Sequence, residues 1–196
     1  MRYHAGMLKK LTILAVAVAL GVHMPGALAD APAGEKKAEP CVSCHRVDNS
    51  HGAPMLDGLP AGYLLRQFEL FKSGKRFGPA MQVNLNALST EDLQDIADYF
   101  SSRPATRAAT KMTADQQAQE LGSTVANDLR CAGCHGQDRG TKDVPRIAGQ
   151  LRNYLALQIA KLQRDSSLHP LMSSSGQPIP QPAIEALATY FGSLEP

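Results

Sequence analysis

Two short motifs place cysteine and histidine at the same spacing, C-x-x-C-H, once at residues 41–45 and again at residues 131–135. The residues that could do chemistry are Cys41, Cys44 and His45 in the first motif and Cys131, Cys134 and His135 in the second. This is the pattern of c-type haem attachment, in which both sulfurs bond covalently to one porphyrin and the histidine binds its iron. Positions i, i+3 and i+4 share one face of a helical turn, so one flat group can reach all three side chains. We therefore predict two covalently bound haem c groups.

Two methionines at matching positions predict the second axial ligand of each iron. Met81 follows the first motif histidine by 36 residues and Met172 follows the second by 37, each in a Pro-x-Met context. A thioether is a soft ligand that suits low-spin iron and raises its reduction potential relative to a second imidazole. His169 is the alternative to Met172, but its counterpart in the first half is Gly78, which disfavours it.

Three other uses of the four cysteines stay open at this point, although each fits less well. A four-cysteine zinc site needs its ligands close together, whereas 87 positions separate Cys44 from Cys131. Simple disulfides would leave the repeated histidine unexplained. A thioredoxin-like C-x-x-C needs a βαβ context, and the sequence has no convincing β-alternation.

The motifs belong to a repeat that covers most of the chain. At an offset of 91 residues the matched pairs include Pro54 and Pro145, Gly58 and Gly149, Tyr63 and Tyr154, Gln67 and Gln158, Met81 and Met172, and Phe100 and Phe191. Because residues of such varied type recur at one offset, we interpret the chain as two homologous halves. We expect the backbone carbonyls of Pro54 and Pro145 to accept the Nδ1–H of the motif histidines, a contact that fixes a ligand's tautomer.

Hydrophobic spacing predicts the same all-α plan in each half. Apolar residues at i, i+4 and i+7 predict helices over 63–73 and 154–164, and Ser89 begins a capped helix that continues to Phe100. Its counterpart follows Pro182, which suits a first helical turn. The apolar faces of these last helices comprise Leu93, Ile96, Ala97 and Phe100, then Ile184, Leu187, Ala188 and Phe191. Long irregular loops over 74–88 and 165–181 are predicted to wrap the haem and carry the methionines.

Residues 1–29 have the features of a cleaved secretory signal peptide: a positive start, an apolar run over 11–22 and an Ala-Leu-Ala cleavage site. The sequence therefore predicts a periplasmic protein. Without the three cations of this segment, the formal charge changes from +2 to −1, which argues against nucleic-acid binding. Aromatic residues make up only 5% and tryptophan is absent, so a bound haem would complete an otherwise small core.

Taken together, these residues resemble the dihaem cytochromes c of the cytochrome c4 type. The resemblance rests on the two C-x-x-C-H motifs, the Pro-Arg-Ile-Ala-Gly-Gln run at 145–150, the Tyr-Leu-x-x-Gln helices, the Phe-Lys-Ser-Gly-Lys-Arg run at 71–76 and the two methionines. It implies two tandem class I cytochrome c domains about a pseudo-twofold axis, over 30–104 and 113–196, with a linker over 105–112. It also implies His–Met ligation of both irons and electron exchange through adjacent propionate edges.

One departure from the family pattern concerns the start of the first domain. Class I domains open with a helix that leads into the haem motif, and residues 113–129 supply one in the second half, with Ala118, Leu121, Val125 and Leu129 on one side. Residues 30–40 contain Pro32, Gly34 and Pro40, so we expect the first domain to lack its N-terminal helix. The last helix of that domain would then offer the Tyr99 and Phe100 face to the second domain or to a partner protein.

Three functions are compatible with these features. The first is a periplasmic electron carrier that works with redox partners and delivers electrons towards a terminal oxidase, with no open iron position and hence no enzymatic activity. Peripheral association with a membrane is compatible with this resemblance. The second is a dihaem cytochrome subunit of a dehydrogenase, such as a flavocytochrome sulfide dehydrogenase. The third, a dihaem peroxidase, is disfavoured because both methionines are present and the chain is short.

Overall fold

The computed structural model describes residues 31–48, 52–108, 115–136, 140–141, 143–165, 169 and 178–196. The predicted signal peptide, residues 109–112 of the predicted linker, and Met172 lie outside the described residues.

The regular secondary structure of the described residues is helical apart from one short hairpin, which confirms the predicted all-α class. The helices are α1 (Ala31–Val42), α2 (Ala61–Lys72), α3 (Pro79–Asn86), α4 (Thr90–Ser102), α5 (Gln116–Asp128), α6 (Ala132–His135), α7 (Arg152–Leu162) and α8 (Gln181–Ser193). Strands β1 (Gly140–Thr141) and β2 (Val144–Pro145) pair antiparallel, with Gly140 opposite Pro145. None of the helices in the described ranges has the length and apolar character needed to cross a membrane.

The two halves use the same packing scheme. In the first half α1 and α2 pack on α4, and in the second half α5 and α7 pack on α8, so each last helix forms the centre of its own buried apolar cluster. The amide of Gly58 donates to the carbonyl of Phe100 at 2.9 Å, and the amide of Gly149 donates to Phe191 at 2.8 Å. Both glycines have φ near +70°, a conformation that glycine adopts at little cost. The sequence repeat is therefore also a structural repeat.

The predicted helices around the motifs are present close to the expected positions. The start of α4 is a capping box, because the Ser89 hydroxyl accepts from the Asp92 amide and the Asp92 carboxylate accepts from the Ser89 amide. The buried faces of α4 and α8 contain all eight apolar residues predicted for them. Pro182 lies in the first turn of α8, where its missing N–H leaves no bond unmade.

The N-terminal helix of the first domain is present as α1, and the prediction that it is missing is wrong. Pro32 occupies the first turn, where proline is tolerated, and Pro40 lies in the last turns before Cys41. Ala38 is fully buried in the first core. Lys37 adds two ion pairs to the start of α4, at 2.8 Å to Asp92 and 2.5 Å to Asp95. Burial and ion pairing thus outweigh the local preference of residues 31–40, and α1 covers the α4 face that was expected to be open.

Two glycines allow the first and last helices of each half to approach closely. A Cβ atom on Gly34 would lie 2.5 Å from the carbonyl oxygen of Asp95 in α4. A Cβ atom on Gly122 would collide with the carbonyl of Ala186 in α8. Accordingly α5 buries Gly122 and Ala126, while Leu121 and Leu129 are exposed. Of the predicted apolar stripe, Val125 packs against the second core, whereas Leu121 and Leu129 do not, because the small residues Gly122 and Ala126 form the close contact with α8.

The loop expected over residues 74–88 contains helix α3, which is a second correction. Pro79 is the first residue of α3 and Gly78 precedes it as the N-cap. The Gly-Pro pair that indicates a loop in isolation is here a helix start, because proline at the first helical position needs no N–H partner. Met81 is therefore held on a helix that packs on α2.

We expect Gly122→Ala to lower the free energy of unfolding by about 2 kcal/mol, because the new methyl group overpacks the contact between α5 and α8. Thermal unfolding of the haem-loaded protein measures this loss. Gly133→Ala is the matched control, since a Cβ atom at Gly133 meets nothing within 4 Å. Equal stability of the two variants would contradict the close crossing of these helices.

Candidate haem sites at the two C-x-x-C-H turns

The first C-x-x-C-H motif forms the helical turn that the spacing predicts. The turn continues directly from α1, and the carbonyl of Cys41 accepts from the amides of Cys44 at 3.2 Å and His45 at 3.1 Å. The corresponding distances in the second motif, which contains α6, are 3.3 and 3.0 Å. In each motif the two thiols and the imidazole therefore project from a single turn.

The motif histidines are held by the proline carbonyls proposed from the repeat. Nδ1 of His45 lies 2.6 Å from the carbonyl oxygen of Pro54, and Nδ1 of His135 lies 2.8 Å from that of Pro145. Because a carbonyl only accepts, Nδ1 carries the proton and donates, which confirms the prediction. Burial lowers the pKa of both imidazoles, against the opposing effect of the carbonyl hydrogen bond. Each ring is thus kept neutral, with the Nε2 lone pair as its ligand atom.

The four cysteines are all free thiols in the structure. Cys41 and Cys131 are half-buried against the two apolar cores, and burial raises the pKa of both thiols. Cys44 and Cys134 are exposed. Within the described residues no three His, Cys, Asp or Glu side chains are grouped to hold a metal ion, so these residues contain no four-cysteine zinc site.

The structure places one of the two predicted methionine ligands. Met81 is half-buried and packs against the first core, as do Cys41 and Tyr63, so this core gathers the candidate ligand, an attachment thiol and an aromatic ring. Met172 lies outside the described residues. His169 is described, and its ring centroid lies 6.1 Å from that of His135 with 22° between the ring planes. The second site therefore has an imidazole near its motif histidine, which the first site lacks at the matching Gly78.

A glutamine joins the two halves through the main chain, and its role was not foreseen. The Gln150 amide group accepts from the Met55 amide at 2.9 Å and donates to the Met55 carbonyl at 3.0 Å. Gln150 is only 3% exposed, so both hydrogen bonds are shielded from water. We call this pair of bonds between Gln150 and Met55 the clasp. The repeat counterpart of Gln150 is Leu59. The sequence did contain an indication of this role, because Gln150 places an amide where the other copy of the repeat has an apolar leucine.

Two arginines also cross between the halves. Arg76 of the first half donates to the Tyr154 hydroxyl at 3.0 Å and to the Gln158 side-chain oxygen at 3.2 Å. Arg146 of the second half donates to the main-chain oxygen of Asp57 at 3.4 Å. Both arginines belong to the runs at 71–76 and 145–150, but spacing along the chain does not indicate which cations contact the other half.

The residues of each half fit a covalently attached porphyrin. Each half supplies two unpaired thiols on one turn, a neutral imidazole with a fixed Nε2, and an adjoining apolar core. Two such helical halves in one chain define a dihaem c-type cytochrome.

Comparison with known proteins gives the particular family. No family-level sequence model matches the chain. It is 32% identical over 181 residues to cytochrome c4 of Pseudomonas aeruginosa, a match that covers 86% of this chain and 90% of that protein. It is also similar to the crystal structure of reduced recombinant cytochrome c4 from Pseudomonas stutzeri, with a TM-score of 0.71 and 27% identity over 85% of this chain and 99% of that one.

The chain belongs to the cytochrome c4 family. It carries two covalent haem c groups and is a dihaem electron-transfer cytochrome. Another relative, the thiosulfate dehydrogenase electron acceptor of Stutzerimonas stutzeri, is 29% identical over 170 residues, covering 79% of this chain and 78% of that protein.

We expect the double variant Cys131→Ser/Cys134→Ser to retain one covalent haem, because only the first motif keeps its thiols. Intact-mass spectrometry of the purified protein counts the attached groups. The mirror variant Cys41→Ser/Cys44→Ser is the control and should also retain one. Two covalent haems in either variant would contradict the assignment of one haem to each motif.

We expect Gln150→Leu to lower the free energy of unfolding by about 2 kcal/mol, because the buried Met55 amide and carbonyl lose their partners. Hydrogen exchange at the Met55 amide should become faster. Gln163→Leu is the matched control, since the Gln163 side chain clasps the main chain of Ile179 within one half. Unchanged exchange at Met55 in the Gln150 variant would contradict the clasp between halves.

Proposed function

We propose that this cytochrome carries electrons between respiratory partners in the periplasm, towards a terminal oxidase, with one His–Met ligated haem in each half. The proposed attachment residues are Cys41, Cys44, Cys131 and Cys134, and the proposed axial ligands are His45, Met81, His135 and Met172. The observation that supports this most strongly is the Nδ1–H hydrogen bond from each motif histidine to a proline carbonyl, at 2.6 and 2.8 Å. It prepares Nε2 as a ligand atom in both halves.

The chain's own residues hold a redox group and offer no substrate chemistry. When bound, each haem c supplies a one-electron carrier whose iron alternates between the ferric and ferrous states. The proline carbonyls orient the imidazoles, the cysteines tether the group, and the apolar cores around Leu64 and Leu155 exclude water. If His45 and Met81 held one iron and His135 and Met172 the other, neither iron would have a position for substrate. We therefore propose a carrier and not an enzyme.

The proposed organisation follows from the same repeat. It has a cleaved signal peptide over 1–29, domains over 30–104 and 113–196, and a linker over 105–112. A pseudo-twofold relation between the domains is supported by Arg76, which contacts Gln67 of its own half and the matching Gln158 of the other. Peripheral association with a membrane is compatible with this arrangement.

A second candidate is an electron-accepting partner or subunit of a dehydrogenase. It is favoured by the relative named as the electron acceptor of thiosulfate dehydrogenase. The α4 face that was expected to be open to the second domain or a partner protein is covered by α1, so it gives this candidate no support. Two rates distinguish the candidates: oxidation of the reduced protein by a terminal oxidase, and reduction of the oxidised protein by a thiosulfate or sulfide dehydrogenase. Rapid reduction by the dehydrogenase without rapid oxidation by the terminal oxidase would favour the dehydrogenase role.

We expect Met81→Ala and Met172→Ala each to remove about half of the ferric sulfur-to-iron absorption band and to lower the potential of one haem, because each iron loses its thioether. Visible spectroscopy of the oxidised protein measures the band. Met55→Leu is the control, since Met55 is a buried packing residue whose main chain binds Gln150.

His169→Asn distinguishes the two candidate ligands of the second haem. The substitution should leave the full band if Met172 is the ligand. An unchanged band in Met172→Ala, together with a spectrum altered by His169→Asn, would replace Met172 by His169.

A further inference from the structure

Arg146 is a buried cation surrounded by neutral groups. It is 2% exposed, and its guanidinium donates to the main-chain oxygens of Ala148 and Asp57. Its Nε is buried and has no hydrogen-bond partner in the part of the chain that the structure describes. The Asp57 carboxylate does not neutralise it, because that carboxylate pairs with Arg103 at 2.8 Å.

Arg76, on the other side of the domain boundary, is half-buried and also bonds only neutral groups. Its donors reach the side-chain oxygens of Gln67 at 2.5 Å, Tyr154 at 3.0 Å and Gln158 at 3.2 Å. The guanidinium carbon also lies 4.6 Å from the centre of the Phe71 ring. Amides and phenols are uncharged at neutral pH, so these contacts satisfy hydrogen bonds without balancing the charge.

A buried guanidinium normally has an anionic partner. Arginine stays protonated in proteins, and a buried charge without a counter-charge is strongly unfavourable. Among the described residues, no ion pair includes Arg76 or Arg146. The missing anions must therefore come from a group other than these side chains.

Each arginine lies beside one of the motif histidines. Arg146 directly follows Pro145, whose carbonyl holds Nδ1 of His135. The Arg76 guanidinium stacks on Phe71, which packs against the first core, and the motif residue Cys41 packs against that same core. The two unbalanced cations are thus distributed one to each haem site, where the carboxylates of a porphyrin are the available anions.

We propose that Arg146 and Arg76 bind haem carboxylates at the domain boundary, and that their charges raise the reduction potentials of the two haems. This inference rests on the two-haem assignment above. A ferric haem carries one more positive charge than a ferrous haem, so a nearby fixed cation disfavours the oxidised form. Both arginines are positioning residues of the electron carrier, since they tune the redox group without ligating iron.

The two cations are not repeat counterparts. Under the 91-residue offset Arg146 matches Met55, and Arg76 matches Ser167. Each half therefore receives its cation from a different position in the chain. Substituting one arginine should consequently change the reduction potential of one haem more than that of the other. A change in overall net charge would not have this selective effect.

The test compares Arg146→Gln and Arg146→Lys, and likewise Arg76→Gln and Arg76→Lys, with Lys75→Gln as the control for lost charge at an exposed neighbour. Intact mass counts the haems, and spectroelectrochemical titration gives both midpoint potentials. Each Gln variant should lower the reduction equilibrium constant of the nearer haem about tenfold, or about 59 mV for one electron. Each Lys variant should restore most of the potential, and Lys75→Gln should change it much less.

Gln variants that keep two haems and shift no further than Lys75→Gln would overturn the proposal. Lys variants whose midpoint potentials shift as far as those of the Gln variants would also overturn it, because the shape of the arginine side chain and not its charge would then determine the potential. A wild-type protein without covalent haem would instead contradict the function proposed above.

If a Gln variant does not accumulate, the wild-type protein provides the test. The titratable groups facing the arginines are Tyr63, Tyr154 and His45 at Arg76 and Asp57 at Arg146. Burial raises the pKa of Tyr63, and a haem carboxylate paired with an arginine is expected to titrate well below neutrality. Both potentials should therefore be constant between roughly pH 6 and 8. A fall in either potential across that range would contradict carboxylate pairing.

Discussion

The close crossing of the first and last helices in each half is the constraint on which both haem sites depend. Gly34 and Gly122 allow α1 and α5 to lie against α4 and α8 at a distance that no larger residue permits. The first helix of each pair leads into a C-x-x-C-H turn, which fixes the backbone of the motif histidine. The last helix fixes the other end of the site, because the Phe100 and Phe191 carbonyls bind the glycine that follows each proline segment. In each half, the first helix therefore positions the main chain of the motif histidine. The last helix positions the proline segment whose carbonyl binds Nδ1 of that histidine.

The boundary between the halves is where the chain departs from its own repeat. Gln150, Arg146 and Arg76 all contact the opposite half, and none of them is matched by a similar residue in the repeat. Repeated residues therefore build the two sites, and unrepeated polar residues join the halves, Arg76 by bonding the repeated pair Gln67 and Gln158. The difference between the halves has a physical reason. Two identical surfaces would place like groups opposite each other, whereas the Gln150 amide and the Arg76 guanidinium each need a hydrogen-bond partner of a different kind in the other half.

The sequence predicted the features whose causes are local and failed where packing decided the outcome. The C-x-x-C-H turns, the Ser89 capping box and the proline carbonyls follow from spacing and hydrogen-bonding chemistry, and all are present. Helix α1 was missed because Pro32, Gly34 and Pro40 disfavour a helix in isolation, whereas burial of Ala38 and the close approach at Gly34 require one. The packed face of α5 was predicted only in part: Val125 packs as expected, but Gly122 and Ala126 form the close contact in place of Leu121 and Leu129. The roles of Arg146 and Arg76 depend on burial, which spacing along the chain does not determine.

A reductive titration of the intact, haem-loaded protein counts its iron centres and identifies their ligands. It should be followed through the visible spectrum, with the added electrons counted for each chain. We expect two electrons for each chain in two one-electron steps, with the ferric sulfur-to-iron band decreasing in both steps and both potentials in the range of His–Met ligation. Uptake of a single electron, or two steps at the low potentials of bis-histidine ligation without that band, would contradict a carrier with one His–Met ligated haem in each half.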